Sequence, residues 1–174
     1  MNSREVSLMS VFAGLYAVLV IFLAPISYGP VQLRVADALM PLAALFGWPM
    51  IIGAGIGCLV GNAYYFLGPQ DVLLGPLANI VSAYLIFSLR RRPFPACVIG
   101  ALPIGVVVGG YLWLFFPPPS VFELNLPIWA AMMTSITISS IIAIAGLGYA
   151  LLRALKRKEI LDPLRQRGVR IYLD

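Results

Sequence analysis

A handful of polar side chains stand out in a chain that has few. Gln32, Arg34, Asp37, Asn62, Gln70 and Asp71 interrupt long apolar stretches, and Tyr64, Tyr65, Asn125, Trp129 and Thr134 fall at comparable levels of the chain. An amide carries both donors and acceptors, a carboxylate accepts hydrogen bonds and meets a cation, and a guanidinium donates in a fixed fork. With aromatic rings to stack on, such groups suit a small, planar, polar ligand. The usual chemistry of enzymes is missing. The chain has no histidine, which removes the commonest general base near neutral pH. It shows no phosphate-binding loop, no H-E-x-x-H and no nucleophile elbow. Any ATP-driven task would need another subunit.

The elements that must position these residues follow from hydropathy. Of 174 residues, 61% are apolar and 11% charged, the latter about half the ~25% of a soluble domain. This excludes an ordinary cytosolic domain and a disordered chain. Uncharged runs cover 6–33, 38–70, 72–89, 93–122 and 124–152, and ~20 apolar residues cross the hydrocarbon as a helix. Gly, Pro and Arg punctuation predicts helices over 6–25, 35–47, 49–67, 71–89, 96–116 and 128–153. The second contains Pro41 and, as an α-helix of about twelve residues, rises only ~18 Å. The first apolar segment has the length of a full span, and no cleavage site followed by a soluble domain appears, so a secretory signal peptide is not expected. Cys58 and Cys97 both fall in apolar segments and read as buried small hydrophobes.

Charge sidedness favours six crossings over five, which would move only Arg4 to the outside. With six, the N-terminus, the Arg90–Arg92 loop and the tail share one side. That side then holds Arg4, Arg90, Arg91, Arg92, Arg153, Lys156, Arg157, Lys158, Arg165, Arg167 and Arg170, eleven of the twelve basic residues, and leaves Arg34 outside. Basic residues favour the cytoplasmic side. The expectation is therefore an all-α integral membrane protein of the plasma membrane. It is a six-transmembrane-helix bundle with a short or kinked second helix and both termini cytoplasmic. Residues 1–155 form its single domain and 156–174 a basic tail, a candidate for contact with anionic lipid. The basic balance is a topology signal and does not imply nucleic acid.

On the outer face this topology leaves Arg34 with three carboxylates, Asp37, Asp71 and Glu123. Each residue has a plainer reading. Asp37 and Asp71 open helices, where the macrodipole favours a carboxylate. Arg34 and Asp37 are spaced to pair with each other, and Glu123 sits in a loop open to solvent. Tyr64, Tyr65 and Trp129 fit an interfacial aromatic belt, while Asn62 and Asn79 fit hydrogen bonds between helices. Small residues recur at four-residue spacing: Ala13 and Ala17, with Gly14 beside the first, and Gly53, Gly57 and Gly61. Such faces admit close helix packing or a docked partner. The stretch Gly105–Gly110 reads as packing.

The segment Gly29-Pro30-Val31-Gln32-Leu33-Arg34-Val35-Ala36-Asp37-Ala38-Leu39 resembles the G-x-(I/V)-Q-x-R-x-(S/A)-(E/D)-A-L signature of the QueT family of queuosine-precursor transporters. Gly53–Asn62 is similar to that family's G-x-x-x-G-C-x-x-(A/G)-N, and Asp71–Ala78 to its D-(I/V)-x-x-G-x-(L/I)-A. The resemblance covers residues 29–78 in order and spacing. It implies a substrate-binding S component of an energy-coupling factor transporter, without its own ATPase or cofactor. Such a subunit takes up a deazapurine-like ligand (preQ1, preQ0 or queuine) and works with a transmembrane coupling subunit and two ATPases. Gln32, Arg34, Asp37, Asn62 and Asp71 carry over as site positions, and Tyr65, Gln70 and Trp129 join them from their level in the chain. Ala13 and Ala17 resemble the face that S components offer the coupling subunit. One departure concerns the sixth span, which offers only hydroxyls (Thr134, Ser135, Thr137, Ser139 and Ser140) where family members often carry an acid. This leaves open whether the ligand has a cationic arm. The alternatives are an S component for another vitamin-like molecule and a non-transport assembly protein of the membrane.

Overall fold

The computed structural model describes residues 2–28, 32–117 and 126–172. Glu123, Asn125 and the Gly29-Pro30-Val31 start of the signature lie outside them. The described residues are helical, without strands. Helix α1 (Ser3–Phe22) opens on a capping box in which Asn2 and Glu5 exchange 2.9 Å hydrogen bonds, satisfying two orphan N–H groups. A single turn, α2 (Ala24–Ser27), follows. Helices α4 (Trp48–Tyr64), α5 (Pro69–Ser88) and α6 (Pro93–Leu112) each carry Pro in the first turn, where its missing N–H costs nothing. Among the described residues, four helices are long and apolar enough to cross a membrane: Ser3–Phe22, Pro69–Ser88, Pro93–Leu112 and Ile128–Leu155. Val35–Phe46 and Trp48–Tyr64 are shorter apolar helices.

Two elements differ from a plain α-helical reading. Residues Val35–Leu42 wind as a 3₁₀ helix and only Ala43–Phe46 (α3) is α-helical. The steeper rise of a 3₁₀ helix stretches this segment to about 22 Å, more than an α-helix of equal length would reach. From Ala36 to Phe46 every residue is buried, so the irregular backbone is surrounded by protein, the condition for tolerating it at membrane depth. The last long helix is also interrupted. Between α7 (Ile128–Ile141) and α8 (Tyr149–Leu155), residues Ile142–Gly148 form a π-helical stretch. That stretch packs on the 3₁₀ segment. A Cβ at Gly148 would sit 2.8 Å from both the Ala38 carbonyl oxygen and Pro41 Cγ.

The remaining helices pack in the order α1–α4–α5–α6–α7 around the central segment. Glycines set the close approaches. Gly53, Gly57 and Gly61 of α4 face Phe12, Ala13, Tyr16 and Val20 of α1, while Gly100 of α6 meets Ile86 of α5. Gly105 and Gly109 of α6 meet Thr137 and Met133 of α7. The small-residue stripe of α4 is thus spent inside the bundle. The exterior is apolar: Phe22, Leu73 and Val11 are among its most exposed side chains, at 80, 63 and 62%. The interior holds Gln32, Arg34, Asp37, Asn62, Asp71 and Asn79, all buried. This inversion suits lipid as the solvent. The chain past residue 155 is folded as well, with α9 (Lys158–Gln166) burying Leu161 against the bundle.

Candidate functional site

The buried polar groups gather toward the end of the bundle where α1 and α4 finish and α5 begins. The opposite end carries the chain start, Arg90–Arg92 and α9. Two hydrogen-bonded networks, each built on one carboxylate, hold the site. In the first, Asn62 Nδ2 donates to the Asp71 backbone carbonyl at 2.8 Å, and Tyr28 donates to Asn62 Oδ1 at 3.1 Å and to the Gly61 carbonyl at 3.0 Å. The Tyr111 hydroxyl donates to Asp71 Oδ1 at 2.8 Å. Gly75 makes this crowding possible. A Cβ there would lie 2.6 Å from Asn62 Nδ2, 3.6 Å from Cys58 Sγ and 3.7 Å from the Tyr111 hydroxyl.

In the second network the Tyr16 hydroxyl donates to Asp37 Oδ1 at 2.5 Å, and Asn79 Nδ2 donates to the Tyr16 oxygen at 2.7 Å. This ties α1, the 3₁₀ segment and α5 together. Phenylalanine at Tyr16 strands the Asp37 oxygen and the Asn79 amide in the interior, and such groups cost ~1–3 kcal/mol each. Tyr16→Phe is therefore expected to lower the unfolding midpoint in detergent by several degrees. An unchanged midpoint would mean that water replaces the hydroxyl and that the network is not structural.

Arg34 lies between the networks. Its Nη1 donates to Cys58 Sγ at 3.5 Å and its guanidinium stands 5.5 Å from the Tyr28 ring centroid. It does not pair with Asp37, whose Oδ1 is taken by Tyr16. Nor does Asp71 cap α5: it occupies the first turn after Gly68, no side-chain cap forms, and its carboxylate turns inward to Tyr111. Apart from the hydroxyls of Ser27 and Ser82, three buried side-chain atoms have no hydrogen-bond partner among the described residues: Gln32 Nε2, Arg34 Nη2 and Asp71 Oδ2. Native interiors leave few such groups. Gln32 also holds φ at 42°, a left-handed conformation that strains a side chain with a Cβ. Two donors and one carboxylate acceptor form the unsatisfied set.

The sequence-derived candidates divide. Arg34, Asp37, Asn62 and Asp71 are buried at the networks, and Gln32 is buried two residues before Arg34. Tyr65 is 46% exposed and stacks on Tyr28 with centroids 4.7 Å apart, so it touches the site from outside. Gln70 is exposed beside Leu73 and Leu74, and Trp129 is 52% exposed; neither reaches the networks. Ala17 is buried and Ala13 faces the glycines of α4, while Gly14, Val11, Leu15 and Val18 point outward. Sequence reading overlooked Tyr16, Tyr28, Tyr111 and Cys58. The signal for Tyr16 was present, since a phenol in mid-helix among apolar residues needs a partner.

An apolar exterior closed around a buried, partly unsatisfied polar cluster, on helices long and apolar enough to cross a membrane, marks a helical membrane protein. The sequence pattern described as QueT transporter matches residues 6–157, and the chain belongs to that family. It is a family of transporters rather than enzymes. Over 82 residues the chain is 34% identical to the queuosine precursor transporter QueT of Lactococcus lactis subsp. cremoris (strain MG1363). That match covers 46% of this chain and 47% of the relative, so the chain spans about half the length of the curated protein it matches. No solved structure matches.

Proposed function

We propose that the protein is the substrate-binding subunit of an uptake transporter for a queuosine precursor, a 7-deazaguanine base such as preQ1, preQ0 or queuine. The observation that carries this reading is the unsatisfied set of Gln32 Nε2, Arg34 Nη2 and Asp71 Oδ2. The pyrimidine edge of a deazaguanine presents two adjacent N–H donors and a carbonyl. The donors suit Asp71, and the carbonyl suits Gln32 and Arg34. Asp37, in the second network, then answers a cationic arm at the 7-position. Membership of the QueT transporter family supports the ligand class. A panel of deazaguanines, with adenine as control, tests it by thermal shift in detergent. Deazaguanines are expected to raise the unfolding midpoint by several degrees. No shift with any of them would favour an assembly protein.

In this reading the bundle crosses the plasma membrane six times. The central segment and α4 count as crossings, and the basic end is cytoplasmic by charge bias. Transport energy comes from a transmembrane coupling subunit with two ATPases, because the chain has no phosphate-binding loop of its own. The docking face is the outward side of α1 around Gly14, where a Cβ would meet no other atom within 4 Å, rather than buried Ala17. Gly14→Leu is expected to abolish co-purification with a coupling module and uptake, while base affinity stays within about twofold, since the added side chain points away from the bundle. Normal uptake by Gly14→Leu would remove α1 from the docking surface.

A further inference from the structure

The segment that carries Asp37 is held at both ends by contacts outside itself. It is mostly 3₁₀, whose hydrogen bonds are poorer than those of an α-helix. It is flanked by two left-handed residues, Gln32 at φ 42° and Gly47 at φ 63°. At the site end Tyr16 holds Asp37. The other end is held by the last described residues of the chain. After α9, Gly168 turns the backbone at φ 75°, with its N–H bonded to the Arg165 carbonyl at 2.8 Å. The strand of chain that follows lies against α1 and the start of α4, where Val169 and Arg170 line a shallow pocket with Leu8, Phe46 and Pro49. It ends with Tyr172 seated on Gly47. The Tyr172 N–H donates to the Leu45 carbonyl at 2.9 Å, one of the carbonyls that the short helix α3 cannot satisfy itself. The ring meets Phe87 edge-on at 5.0 Å, with the Arg170 guanidinium 4.8 Å and the Arg90 guanidinium 6.0 Å from its centroid. A Cβ at Gly47 would lie 2.8 Å from Tyr172 Cε2, so only glycine lets the ring seat there. This strap lies beyond residues 6–157 that carry the family pattern.

We infer that residues 168–172 form a strap on the basic end of the bundle that positions the Val35–Phe46 segment, with Tyr172 as its positioning residue, and that releasing the strap loosens the Asp37 end of the site and speeds departure of the ligand. The second half of this inference rests on the proposed site; the first does not. The physical route is short. The hydrogen bonds of a 3₁₀ segment are poorer than those of an α-helix, so it depends on its packing and end contacts, and freeing its Gly47 end weakens the hold on Asp37.

Hydrogen exchange of the ligand-free protein in lipid nanodiscs tests the strap. Tyr172→Ala is expected to raise exchange over 35–46 roughly tenfold, the scale of one lost aromatic and one lost cation–π contact. Exchange in α5 and α6 should not change. Tyr172→Phe, which keeps the ring, should behave as wild type. Arg170→Ala should move exchange in the same direction by less, and serves if Tyr172→Ala does not fold. Unchanged exchange over 35–46, or a rise of equal size in every helix, overturns the strap. Dissociation of 7-aminomethyl-7-deazaguanine should quicken several-fold in Tyr172→Ala. A loosened segment with unchanged dissociation overturns the link to the site. A wild type that binds no deazaguanine overturns the proposed function while the exchange result still stands for the strap.

Discussion

Asp71→Asn is expected to weaken binding of 7-aminomethyl-7-deazaguanine by on the order of 10- to 100-fold, the ~1.5–3 kcal/mol of a hydrogen bond to a charged group. Asparagine has the same shape, and its oxygen still accepts from Tyr111, which lies 2.8 Å from Asp71 Oδ1. What changes is the atom at the Oδ2 position, which has no hydrogen-bond partner among the described residues. A carboxylate oxygen there accepts from the ligand edge, whereas an amide nitrogen presents hydrogens to it. The ligand-free protein should keep its melting temperature within a few degrees, because asparagine retains the Tyr111 hydrogen bond and the change removes both the desolvation cost of a buried carboxylate and its attraction to Arg34. Titration calorimetry and thermal unfolding in detergent separate the two effects. Equal affinity in wild type and Asp71→Asn would mean that this oxygen does not meet the ligand.

Gly57→Ala should destabilise the bundle by separating α1 from α4. The added Cβ would lie 2.7 Å from both the Ala13 carbonyl oxygen and Tyr16 Cβ. The first of these is backbone and cannot turn aside, so α1 must move off α4. Overpacking of this kind costs ~1–3 kcal/mol. The same movement carries Tyr16 away from Asp37, so ligand affinity should fall along with stability. Gly110→Ala is the matched control: a Cβ there meets nothing within 4 Å, and removing a helical glycine stabilises by roughly 0.5–1 kcal/mol. Comparable melting of the two variants would show that α1 and α4 are not closely packed.

Much of the buried polar cluster that forms the candidate site was legible along the chain because lipid makes polar residues conspicuous. Gln32, Arg34, Asp37, Asn62 and Asp71 stand in apolar surroundings where each needs a reason, and all five are buried. Gln70 and Trp129 lie at the same level but face outward. Level is set by position along the chain, whereas facing depends on helix rotation, and a nearly all-apolar helix gives little periodicity from which to read rotation. For Ala13 and Ala17 spacing alone admitted both internal packing and a docked partner; Ala13 faces the glycines of α4 and Ala17 is buried.

Composition and charge spacing alone determined that the chain is a helical membrane protein, where its long helices fall, and which end is basic. These follow from the cost of burying charge and unpaired backbone in hydrocarbon, a cost each segment meets by itself. The tertiary structure alone decided which carboxylate oxygen is free and which is tied to Tyr16 or Tyr111. It also decided that the short segment winds as a 3₁₀ helix and that Tyr172 returns to seat on Gly47. Those are contacts between residues as far apart as 127 positions along the chain, and no local pattern encodes a distance that only packing sets.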